Sequence, residues 1–231
     1  MPDEGPTKEA FPLTLLMAQD AFEDIVDKPI GRRSAGASFL DAYLRFGGNH
    51  THHVAVPNPK AAEWFAAKSR AITPQAIIKS VGWAQWGQAA SATGTLHIPG
   101  PILETWAWRR MIHGDAEISL LGLMHTLSST SIQKQFSSFS SAPIRDWDAL
   151  ICTSRAGKKV VEGFFERQEN YLRWRHGATR FERPQLPLIP LGIDPTAWAP
   201  EGGRQQARSK ARSTLNLPDD ADLVLVAGRL D

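Results

Sequence analysis

Ile118-Ser-Leu-Leu-Gly-Leu-Met-His125-Thr-Leu-Ser-Ser129 is the stretch from which the rest of the chain can be read. Residues 118–124 are a nearly unbroken apolar run, short enough for a strand buried on both faces. Such a strand belongs to a parallel sheet covered by helices, where neither side needs to be polar. The run stops at His125 and Thr126, followed by small hydroxyl residues. In open α/β sheets ligands sit beyond the carboxyl ends of the strands, so His125 is the first candidate for a functional side chain. A histidine that merely ends a strand with a satisfied hydrogen bond is the bland alternative.

Further apolar runs on either side extend the pattern. Residues 11–17 read as a first strand, followed after an irregular segment by Gly31-Arg-Arg-Ser-Ala-Gly36. Residues 37–46 place Phe39, Leu40, Tyr43 and Leu44 at helical spacing before Gly47-Gly48. A strand, a glycine loop and a helix in succession can hold an anion at the helix N-terminus, where free N–H groups and the dipole both favour it. Gly31 allows close backbone approach; a plain glycine turn explains it equally well. The dinucleotide fingerprint G-x-G-x-x-G is absent and no acidic residue ends the next strand at 53–56, which argues against a nicotinamide enzyme. His50, His52 and His53 have no carboxylate or cysteine beside them, so no metal site is expected there.

Residues 59–71 read as an amphipathic helix, 76–81 as a strand and 83–90 as a short apolar segment. A strand at 94–97 ends in His97, a helix covers 102–112, and the strand at 118–124 follows. In a right-handed βαβ unit, His97 and His125 would close two strands on one rim. Residues 128–141 read as a serine-rich loop with a short helix. A strand at 147–152 leads through Thr153 and Ser154, natural N-caps, into a basic helix at 155–173. Its arginines and lysines make a solvated face, or one attracted to an anionic membrane. Residues 185–191 read as a strand, 199–212 as a linker, and 223–227 as a buried strand. The fold class expected is α/β, a Rossmann-like parallel sheet with helices on both faces.

The composition is that of a globular protein. With 231 residues, one large domain or one and a half is expected. A net charge of +2 is too small to argue for nucleic acid. Cys152 is the only cysteine, so no internal disulfide can form, and a reducing compartment follows. The N-terminus is acidic and broken by proline, unlike a signal peptide, and no apolar run approaches the ~20 residues of a membrane span. A soluble cytoplasmic protein is expected, with peripheral contact to the inner face of a membrane left open.

Taken in order, these pieces resemble a GT-B glycosyltransferase of the large retaining family-4 type. Gly31 with the helix ending Leu40-Asp-Ala-Tyr-Leu-Arg-Phe-Gly47 resembles the family's first glycine loop and helix. Leu96-His97 resembles its strand ending in histidine, and Leu121-Gly-Leu-Met-His125-Thr126 its strand leading to an active-site histidine. Asp148-Ala-Leu-Ile-Cys-Thr-Ser154 resembles the strand and serine before a helix. Leu188-Ile-Pro-Leu-Gly192-Ile-Asp194 resembles the signature closing the N-terminal domain, and Gly228-Arg229-Leu230 the opening of the nucleotide-binding domain.

The resemblance implies an acceptor-side domain over residues 1–198, with 199–231 a linker and the first strand of a truncated nucleotide-sugar-binding domain. It implies transfer of a sugar from a nucleotide-activated donor to a lipid or polysaccharide acceptor, with no obligatory metal or other cofactor. Gly31 would approach the donor diphosphate, His125 would contact the transferred sugar, and Arg229 would neutralise the leaving group. His97, Thr126 and Ser154 would line the cleft. Arg32 stands where the family often has a second glycine. The family's phosphate-binding lysine and acidic motif would lie past Asp231, so these residues alone are not expected to catalyse transfer. A non-catalytic sugar- or nucleotide-binding module of the same fold is the alternative.

Overall fold

A computed structural model of the chain describes residues 11–22, 31–48, 50–192, 195, 199–224 and 226. Two compact units are present, Met1–Leu191 and Gly192–Asp231. The larger is α/β, and its six strands form one all-parallel sheet flanked by helices, a Rossmann-like arrangement. In chain order the elements are β1 (Thr14–Leu16), α1 (Gln19–Phe22), α2 (Gly31–Phe46), β2 (Thr51–Val56), α3 (Pro59–Ile72) and β3 (Ile77–Gly82). A 3-10 turn (Trp83–Gln85) leads to α4 (Trp86–Thr93), β4 (Thr95–Ile98), α5 (Leu103–Arg110), β5 (Ser119–Leu123), α6 (Thr130–Ser138), β6 (Ala149–Ile151) and α7 (Arg155–His176). The strand order is β3-β2-β1-β4-β5-β6. The chain therefore builds outward from β1 to β3, then returns to the other side of β1, leaving a switch point between β1 and β4.

Alternation along the strands divides the core into two. Leu15 of β1 and Met17 just past its end pack with Val54, Val56, Leu40, Leu44 and Phe65, beneath α2 and α3. Leu16 and Ala55 face the other way, toward Trp86, Ala90, Leu103, Trp106 and Phe165 of α4, α5 and α7. Helices thus cover both faces, which is why the central strands are largely apolar, whereas the edge strand β3 is mostly exposed and carries Lys79 and Ser80.

Local chemistry sets the helix starts. Asn58 accepts the Ala61 N–H at 3.0 Å before Pro59, and Ser154 accepts the Gly157 N–H at 3.0 Å. Glycine at 36 has a packing reason, because a methyl built there would land on the Ala21 carbonyl of α1.

At the end of the sheet where β5 and β6 begin, Arg110 and Asp148 form a fully buried ion pair at 2.5 Å. Arg110 also donates to the carbonyls of Ile118 and Pro143, each at 2.9 Å. Asp148 accepts the N–H groups of Leu120 and Arg145, also at 2.9 Å. The pair fastens the entrances of β5 and β6.

Three sequence expectations are corrected. Residues 185–191 are not a strand but two isolated bridges to β6, Ala149 with Gln185 and Cys152 with Leu188. Pro187 has no N–H to give the ladder between them. Residues 199–212 are not a linker, since α8 spans Gly203–Thr214. Its Gln, Ala, Arg and Lys residues favour helix, but only Arg212 is buried, so no apolar stripe announces it. The strand expected at 223–227 is absent at Leu223, Val224 and Val226, which are exposed and outside any strand. Arg229 and Asp194 lie outside the described residues.

Candidate active-site rim

Side chains from both halves of the sheet meet at the carboxyl ends of β1, β4 and β5. Gly122 makes this possible. A Cβ at that position would lie 3.0 Å from the Gly100 carbonyl and from Leu103, so a larger residue would press the turn after β4 away from β5 by a few tenths of an ångström. The Leu123 N–H then donates to the Gly100 carbonyl at 3.1 Å, and the Met124 N–H to Ile151 at 3.0 Å. His125 emerges from this crossing half-buried.

Burial holds the His125 imidazole below its ordinary value near 6.5, the Arg32 guanidinium pushes the same way, and the Pro99 carbonyl opposes both. That coupling puts Arg32, in the first turn of α2, within electrostatic reach of a residue from the opposite side of the switch point. Arg32 also pairs with Asp20 of α1 at 2.7 Å, both side chains being largely in solvent. An exposed pair of this kind contributes little to stability, so an incoming anion can compete for the guanidinium. Trp83 completes this side of the rim, donating its indole N–H to the Met17 carbonyl at 3.2 Å while its ring stays partly exposed.

The residues singled out from sequence occupy distinct places. Gly31 is not in a loop; it is the first residue of α2, exposed, with open space where a Cβ would stand. Thr126 is exposed, its hydroxyl 3.3 Å from that of Ser128. Ser154 is also exposed and serves as the N-cap of α7. His97 differs most. It is the penultimate residue of β4, has no exposed surface, and lies with its ring centroid 4.5 Å from that of Phe39 beneath α2. Neither ring nitrogen has a hydrogen-bond partner of good geometry. Burial pushes its pKa down to about 4, with His125 adding to the shift and the Leu121 carbonyl opposing it. A group so placed touches a rim ligand only through its neighbours.

No family model, curated protein or solved structure matches the chain.

Asp20 and Trp83 were not legible as rim residues. The first lies in a four-residue helix with no motif of its own, and the second reads as the start of an apolar segment. His52 of the histidine cluster is buried, its Nδ1 2.6 Å from the Ser69 hydroxyl, and so belongs to the core. Among the described residues no three His, Cys, Asp or Glu side chains converge as a metal site. The open depressions of about 480 and 490 Å³ on the larger unit lie around Pro143 and between α6 and α7, lined by none of the rim side chains.

Chemically, the rim offers a permanent cation, the positive end of a helix dipole at the start of α2, a histidine whose charged form burial disfavours and a partly exposed aromatic ring. The first two suit an anionic group of the diphosphate type. The second two suit a neutral, hydroxyl-bearing ring.

Proposed function

We propose that the chain is the acceptor-side portion of a glycosyltransferase of the GT-B type, which passes a sugar from a nucleotide-activated donor to a saccharide or lipid acceptor. The observation that carries this reading is the convergence of Arg32, at the start of α2, with His125 beyond β5 at the switch point of the sheet. The donor diphosphate would meet the first-turn N–H groups of α2, with Gly31 leaving room for its approach. When the bond from the anomeric carbon to the diphosphate breaks, negative charge gathers on the departing phosphate oxygen. Arg32 would stabilise it, and a fixed cation there would act mainly in the transition state. His125, uncharged at neutral pH, would hold a hydroxyl of the transferred sugar. Arg229 retains the role that the resemblance implies.

Calorimetric titration of the full chain with UDP, GDP and ADP tests the donor side. One of the three should bind, and Arg32→Gln should weaken it at least about tenfold, the usual effect of losing a hydrogen bond to a charged group. Gly31→Ala should leave the melting temperature unchanged, since its Cβ meets nothing, yet weaken the same ligand. In a complete enzyme that carries the donor domain, release of nucleoside diphosphate from the matching sugar nucleotide should fall in His125→Ala. Binding without turnover by that complete enzyme would point instead to a non-catalytic module, and binding of none of the three would refute the donor reading.

A further inference from the structure

No helix of the described residues is long and apolar enough to cross a membrane. The last turns of α7 nevertheless carry a surface that water does not explain. Trp174 is 79 % exposed and Tyr171 is 47 % exposed, their rings 6.1 Å apart. Residues 167, 171, 174 and 175 share one face at helical spacing, so this aromatic pair is bracketed by Arg167 and Arg175. The buried stripe of the same helix, Val161, Phe165 and Glu169, points the other way. A large aromatic pair left in solvent on a packed helix marks a contact surface.

The charge around this pair is one-sided. Glu169 is buried and taken by Arg183, at 2.5 Å, and by Arg173, at 3.3 Å. Glu182 is taken by Arg145 and Arg180. Glu166 is the exposed acid that remains beside the patch, whereas Arg167 and Arg175 have no ion-pair partner among the described residues. Arginines flanking a tryptophan and a tyrosine match the headgroup region of a membrane, where amphipathic rings settle and anionic lipids attract the cations.

We propose that the exposed end of α7 docks on an anionic membrane surface through Tyr171 and Trp174, with Arg167 and Arg175 contacting lipid phosphates. A nucleic acid fits less well: the two rings are tilted 50° to each other and give no parallel platform for stacked bases. The docking surface is separate from the rim. Trp174 lies twenty residues past Ser154, about 30 Å along the helix. Docking therefore holds the rim away from the bilayer and favours an acceptor whose sugar extends from it. The membrane contact itself does not depend on the transferase reading.

Co-sedimentation of the full chain with vesicles of equal parts phosphatidylglycerol and phosphatidylcholine is the test. Binding should occur at low salt, fall in high salt, and be absent from pure phosphatidylcholine. Trp174→Ala should weaken it about tenfold and Arg175→Gln about fivefold. Neither side chain is buried, so both variants should melt like the parent. Lys68→Gln on α3, under the opposite face of the sheet, should bind as the parent does. Failure to sediment with anionic vesicles would overturn the proposal. So would equal binding by Trp174→Ala, equal loss in Lys68→Gln, or a preference for a single-stranded RNA oligonucleotide lost in the same two α7 variants.

Discussion

Lowering the pH from 7 to 5 should destabilise the larger unit through His97 before most carboxylates titrate. In the unfolded chain this imidazole has its ordinary value of 6.5; in the fold it is held at about 4 because burial removes the water that would solvate the cation. Between those values the unfolded state binds a proton that the folded state refuses, so stability falls as pH falls through the window. The loss amounts to about 2 kcal/mol at pH 5 and approaches about 3 kcal/mol near pH 4. With a urea dependence of about 2 kcal/mol per molar, the midpoint should drop by about 1 M between pH 7 and pH 5. Urea unfolding followed by near-ultraviolet circular dichroism would measure it, with His97→Leu as the partner variant. That variant has its own lower baseline but nothing to protonate at this site, so the gap between the two curves should narrow as pH falls. Parallel curves from pH 7 to 4.5 would refute the reasoning. So would a His97 proton resonance titrating near pH 6.5 in the folded protein, since it would mean that water reaches the ring.

Arg110→Met should cost about 3–5 kcal/mol in urea unfolding, because it strands Asp148 as a buried charge; adding Asp148→Asn, which removes the charge and keeps an acceptor for the Leu120 N–H, should recover part of the loss. Gly36→Ala should lower stability by about 1–3 kcal/mol by thermal melting, since the new methyl has a backbone oxygen in its place and α1 must move away from α2. Glu169 is held below its ordinary carboxylate value by its hydrogen bond to Arg183. Its stabilising contribution should be present at neutral pH and fade as pH drops below about 4.5, an acid dependence that Arg183→Gln should flatten in the same unfolding assay.

The strands were legible because a strand covered on both faces must be apolar on both, a property of a few adjacent residues. The runs around Leu15, Val54, Leu96, Leu120 and Leu150 each fall on a strand of the sheet. Helix starts were equally local, since the Ser154 hydroxyl reaches an N–H only three residues on. The segment at 185–191 misled because its apolar residues look like a strand while its prolines withhold the donors. Helix α8 escaped notice because it has no buried stripe to set a period.

What the chain cannot state locally is which strands become neighbours. The order β3-β2-β1-β4-β5-β6 depends on where each crossover carries the chain, and that is settled by packing whole helices on a completed sheet. That order alone brings Arg32 to His125, across 93 residues of sequence, and sets Trp83 over the end of β1. It also separates the two histidines that look alike in sequence. His125 follows its strand and opens onto the rim, whereas His97 points from β4 into the layer under α2, where Phe39 closes over it. Sequence determined that both would stand near strand ends; only the tertiary structure decided which one water can reach, because solvent access depends on the helix that packs above.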